Sequence, residues 1–147
     1  MPTARSTFYI SEWVSERENR GFPNVIAVKA TAYATYRGDL IGEGEAHVMS
    51  LYLAVADELR VTGHLACEQI AGTLDGRSGT FVIQHRGLRS EGSSDKRTGL
   101  VLPRSGTRDL KGISGEVVIN RSPDGLHSME LVYEFESLFP WRNPGDR

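Results

Sequence analysis

Two glycine-punctuated blocks, Ala71 to Gly87 and Leu102 to Gly115, constrain this chain more than any other feature. Each reads as strand, tight turn, strand. Glycine supplies the turn conformations that other residues resist, and the flanking Val, Ile, Thr and Phe favour extended backbone. No segment carries a long apolar repeat of 3.6 residues, whereas alternation by two recurs throughout. The last strand is the clearest: Met129, Leu131, Tyr133 and Phe135 alternate with Glu130, Val132, Glu134 and Glu136, so one face is apolar and the other mainly carboxylate. The apolar face must point inward.

Similar runs occur at Thr7 to Val14, Val25 to Tyr36, Leu40 to Leu53, Gly63 to Leu74, Thr80 to Arg86, Gly99 to Leu102 and Gly115 to Arg121, making eight with the last. Eight antiparallel strands with short turns suit a two-sheet sandwich or a closed barrel. The expectation here is an all-β, eight-stranded antiparallel barrel, because closure leaves no unpaired edge. Leu53 to Arg60 has an alternative reading as a short helical turn. Arg89 to Thr98 reads as a polar loop with too little apolar content to pack, and the segment beyond about residue 140 as a loose tail.

The chain has 147 residues, one domain by ordinary length, and can bury a core without staples. Its single cysteine, Cys67, cannot form an internal disulfide and reads as a small buried hydrophobe. With no signal-like opening, the expected location is the cytoplasm. No apolar stretch approaches the roughly 20 residues of a membrane span, so no membrane role is expected. Net charge is -2, with 17 basic and 19 acidic residues dispersed, which argues against a nucleic-acid partner. The cluster Arg86, Arg89, Lys96 and Arg97, diluted by Glu91 and Asp95, reads as a solvated loop rather than an anion site.

Three segments, Gly38 to Gly44, Gly72 to His85 and Pro103 to Gly115, resemble the blocks of the bacterial domain-of-unknown-function family 3224, a family grouped with the allene oxide cyclase-like barrels. The resemblance runs from about Phe8 to Glu136. It implies the barrel fold, and by analogy a cyclase or isomerase acting on a hydrophobic metabolite held in the lumen. It also implies that Glu68 matches a glutamate on the strand before the second block. Arg104 departs from the pattern, standing where glycine is usual; it either constrains the turn or reaches a ligand at a barrel mouth.

The candidate catalytic residues are Glu68, His64 and His85. A carboxylate facing an apolar lumen is poorly solvated, so its pKa rises toward neutrality and it can work as a general acid or base. His64 shares a strand face with Glu68, nearer the rim, where it could orient a group or relay a proton. His85 alternates with Phe81 and Ile83 and enters the lumen near an opening. The competing reading for each is a surface or satisfied core residue. Glu43, Glu45 and His47 share one face of their strand, opposite Gly42, Gly44, Ala46 and Val48, and face water if the small residues fill the interior. Candidate substrate contacts are Tyr133, Phe81, Met129, Leu131, Phe135 and Arg104.

His64 with Glu68, or Glu45 with His47, could place two metal ligands on one side of a strand. No cluster completes either pair, so neither metal nor organic cofactor is expected. No nucleophile elbow or phosphate loop is present. The expected partner is a small hydrophobic molecule, with a homo-oligomer in keeping with related barrels. A non-catalytic lipophile-binding protein is the alternative, and a solid barrel acting through its surface is a third reading.

Overall fold

In the computed structural model, which describes residues 1–18, 23–55, 58–88 and 96–136, eight antiparallel strands close into a barrel in sequence order. They are β1 (Thr3–Glu18), β2 (Val25–Gly38), β3 (Leu40–Val55), β4 (Glu58–Leu74), β5 (Arg77–Leu88), β6 (Lys96–Val101), β7 (Ile113–Arg121) and β8 (His127–Phe135). All eight expected runs are present, and β3 and β4 extend into the stretch that had a helical alternative. Closure is made by β1 against β8, with Ala4 opposite Leu131 and Phe8 opposite His127.

Side chains alternate as the pattern requires. Leu131 and Met129 are buried on β8 while Glu130 and Glu134 are exposed. On β3 the inward row is small, Gly44, Ala46 and Ser50, and Glu43, Glu45 and His47 face water. A bulge in β1 between Ile10 and Glu12 changes the inward parity of that strand. Before it Ala4, Ser6 and Phe8 face the interior; after it Trp13 lies opposite inward-facing Ala32. Following the ladder from Ser15 through Ala30, Val48, Ala66, His85, Gly99, Val117 and Leu131 leads back to β1 at Ala4, eleven residues away. That stagger is the shear a closed, tilted barrel needs.

The two glycine blocks differ. The first forms a two-residue hairpin between β4 and β5, with Asp75 and Gly76 both at positive φ (47° and 87°), as the mirror-image turn of a twisted hairpin demands. The second is not a tight turn. Between Val101 and Ile113 the chain makes a short 3-10 helix (Arg108–Leu110) that drops Leu110, fully buried, into the barrel end. This connection also takes over where β6 is too short to cover β5: Thr107 N donates to Thr80 O at 2.9 Å and Val82 N donates to Ser105 Oγ at 3.0 Å. Glycine chemistry marked a turn there but could not distinguish a hairpin from a plug.

Of the expected polar loop, Lys96, Arg97 and Thr98 instead belong to β6, while 89–95 and the tail beyond 136 lie outside the described residues. Cys67 is exposed, since it is out of phase with the inward row of β4, which corrects its reading as a buried hydrophobe. Among the described residues no helix is long and apolar enough to cross a membrane.

Candidate functional site

One end of the barrel is packed, and among the described residues the other is open. The packed end holds Leu40, Leu74, Phe81, Leu110, Ile113 and Tyr133, all buried. Tyr133 donates to Asp75 Oδ2 at 2.5 Å, and the Arg77 guanidinium sits 4.1 Å from the centre of the Phe135 ring. Burial, then the Asp75 carboxylate, pushes the Tyr133 hydroxyl up to about 12. Toward the other end the inward residues shrink to Ala32, Ala34, Ala46, Ser50 and Gly87. There a cavity of about 470 Å³ opens, and Glu68, His64 and His85 line it together. A larger furrow of about 1180 Å³, lined in part by the outward-facing Val14, Met49, Leu65, Cys67 and Leu100, does not include Glu68.

Glu68 is 3% exposed and sits on the inward row of β4 between Ala66 and Ile70. Its carboxylate accepts a hydrogen bond from the Tyr36 hydroxyl at 2.5 Å. Its other oxygen lies 3.9 Å from His85 Nε2, and His85 Nδ1 lies 3.3 Å from His64 Nε2. Gly44, across from Ile70 on β3, makes the space: a Cβ there would stand 2.0 Å from Glu68 Oε2. Only glycine at that position leaves room for the carboxylate in this pose.

Burial dominates the electrostatics. It raises Glu68 from an ordinary 4.5 to about 7, the Tyr36 hydrogen bond and the Arg97 charge opposing it. Burial also lowers His85 from 6.5 to about 3, with the neighbouring His64, Arg97 and His127 acting in the same direction. Tyr36 is pushed well above the usual phenol range by burial and by Glu68. Near neutral pH the site therefore combines a carboxyl that is ready to gain or lose a proton with a neutral imidazole beside it. Imidazole can take a proton on one nitrogen and release it from the other. The row Glu68, His85, His64 runs from the buried floor to the half-buried rim.

Residues 4–133 match the sequence profile of a family described as "Protein of unknown function (DUF3224)". The chain belongs to the DUF3224 family. A solved structure from Shewanella oneidensis MR-1, a protein with unknown function from the same family, is similar at 28% identity and TM-score 0.74, covering 92% of this chain and 98% of that one. A comparison with curated proteins finds no match.

In this DUF3224 barrel the expected catalytic residues Glu68, His64 and His85 come together, whereas the expected substrate contacts do not. Phe81, Met129, Leu131, Tyr133 and Phe135 are inward, but they fill or border the packed core and are not among the cavity-lining residues. Inward direction was readable from alternation; which end of the lumen stays open was not. Arg104 is exposed in the connection at the closed end, away from the open mouth, with φ of 68°. Glycine adopts that left-handed backbone conformation without strain, whereas arginine adopts it at a cost.

Sequence reasoning does not reach Arg97 or Arg121 as cavity-lining residues, nor the partnership of Tyr36, one of the aromatics able to line a pocket, with Glu68. Tyr36 was readable as inward on β2, but its partnership with Glu68 depends on register. Arg97 lies opposite buried Ile119, and Arg121 opposite buried His127, so both stand on lumen-facing positions and both line the cavity. Among the described residues no group of three His, Cys, Asp or Glu side chains could hold a metal ion.

Proposed function

We propose that this protein is a cofactor-independent isomerase or cyclase for a hydrophobic metabolite, with Glu68 as its acid–base group. The observation that carries this reading is a carboxyl 3% exposed on the wall of a cavity of about 470 Å³, where burial raises its pKa to about 7. A catalytic acid or base works best with a pKa near the working pH, and placing one there requires a desolvated site such as this one. The likeness of the sequence blocks to allene oxide cyclase-like barrels, used as an analogy, supports the same reading.

In the proposed reaction, ionised Glu68 accepts a proton from a substrate carbon next to a carbonyl, and the resulting carboxylic acid returns it at another carbon. The substrate's elemental composition is unchanged. Protonated Glu68 could instead donate to an epoxide or enone oxygen and start a ring closure, with the lumen holding the substrate folded; such positioning contributes several kcal/mol. Tyr36 is a positioning residue, holding one carboxylate oxygen so that the other faces the cavity and His85. His85 and His64 then exchange the proton with solvent.

The test incubates the protein with epoxides, enones and conjugated polyenes in D₂O and follows isomer formation and deuterium uptake by mass spectrometry. Wild type should turn over at least one class, and Glu68→Gln should lose about 10²- to 10⁴-fold while remaining folded. Equal rates in the two proteins would remove Glu68 from the chemistry. Ligand that is bound but recovered unchanged would favour the binding-protein alternative.

A further inference from the structure

Resting on that reading, we propose that the substrate is an organic anion, its charged group held at the cavity mouth by Arg97 and Arg121 and its apolar body directed toward Glu68. The mouth has two unlike lips. On one side stand Ile10, Trp13 and Tyr52, with Trp13 turned inward by the β1 bulge. On the other, adjacent strands β6 and β7 supply Arg97 and Arg121, with Lys96 at the rim.

Strand register fixes this cationic lip. Arg97 pairs with Ile119 and Arg121 lies two residues further along β7, so the two arginines are diagonal neighbours on the inner face. Glu68 is the single carboxylate among the described cavity-lining residues, against Lys96, Arg97 and Arg121, in a chain whose net charge is -2. The Arg97 charge also reaches inward: it opposes the rise of Glu68 and adds to the depression of His85. Guanidinium groups bind carboxylate or sulfonate through paired N–H donors, which gives orientation as well as attraction. Anchoring the charge at the mouth would leave the apolar body to reach past Ala34 and Ala46 to the carboxyl.

The test compares two dyes with nearly the same aromatic body, anilinonaphthalene sulfonate and neutral N-phenylnaphthylamine, in fluorescence titrations of the whole protein. Energy transfer from Trp13, read as the part that Trp13→Phe removes while Trp141 is retained, locates the bound dye at the mouth. Wild type should bind the sulfonate at least about tenfold more tightly. High salt should narrow that gap, because an exposed mouth is screened. Arg97→Gln combined with Arg121→Gln should erase the gap and leave the neutral dye's affinity unchanged. Arg121→Gln alone, at an exposed position, should narrow it if the double variant does not fold. Equal binding of both dyes to wild type, or a sulfonate preference that survives the double variant, overturns the anion site and leaves the Glu68 chemistry to its own turnover test. Failure of either dye to bind overturns the open lumen and the anion site together.

Discussion

The two ends of this barrel are built on the same strands, yet one is a core and the other a container. At the closed end the inward positions carry Leu40, Leu74, Phe81 and Ile113, and Leu110 is added from outside the sheet. At the open end they carry Ala32, Ala34, Ala46 and Ser50, and the volume those residues leave is lined by apolar side chains together with Glu68, His64, His85 and the arginines. Barrel geometry does not decide between these outcomes, because an eight-stranded barrel can be filled by side chains or hold one small ligand. Side-chain size at a few inward positions decides. Stability is concentrated at one end so that the other can accommodate a buried carboxyl and facing arginines.

Truncation tests that division most severely. Leu110→Ala removes a fully buried side chain from the plug and should cost about 3 kcal/mol in chemical denaturation, within the range for such deletions. Ala46→Leu at the open end projects into existing space; it should change stability by less than about 1.5 kcal/mol while abolishing dye binding. Comparable losses at both ends would mean that the lumen is packed throughout, and the distinction would fail.

Glu68 gives the next largest effect, with a sign set by its raised pKa. Between 4.5 and about 7 the folded protein keeps a proton on Glu68 that the unfolded chain has released, so this residue's contribution to stability declines as pH rises through that window. His85, lowered from 6.5 to about 3, acts oppositely: the unfolded chain holds the extra proton, and its contribution is lost as pH falls through that range. Wild-type stability should therefore be nearly flat from about pH 4.5 to 6.5 and fall below it. The advantage of Glu68→Gln over wild type should grow between pH 4.5 and 7 by on the order of 3 kcal/mol. A difference that is constant with pH would show that Glu68 titrates as an ordinary carboxylate.

How much of this was readable in the sequence follows the same division. Strand number and the inward face of β8 follow from alternation, which reports side-chain direction residue by residue; closure follows from the need to leave no unpaired edge, and the inward face of β3, where both rows are short or charged, is settled only by the structure. Glu68, His64 and His85 were found because polar residues on an apolar row stand out. Alternation gives the inward direction of Tyr133 and Phe81 but says nothing about height along the barrel, and so does not separate core from pocket lining. Height depends on stagger, and stagger depends on bulges such as the one after Ile10, which has no glycine or proline signature. The charged, hydrophilic neighbours of Arg97 read as a solvated loop; pairing with Ile119, remote in sequence, is what turns it inward.

The smallest expected effect concerns Arg104. Its φ of 68° is left-handed, a conformation in which a Cβ crowds the backbone by about 1 kcal/mol or somewhat more. Glycine removes that cost but gives back part of it through the greater freedom of the unfolded chain. Arg104→Gly should thus stabilise the protein slightly, by under about 1 kcal/mol, and leave sulfonate-dye affinity unchanged, because Arg104 lies at the closed end. Its contrast with Arg97 and Arg121 is the finest form of the comparison: three arginines on one barrel, of which only the two on lumen-facing positions should matter to an anion. Loss of sulfonate binding in Arg104→Gly would move the anion site to the other end and undo the assignment of the mouth.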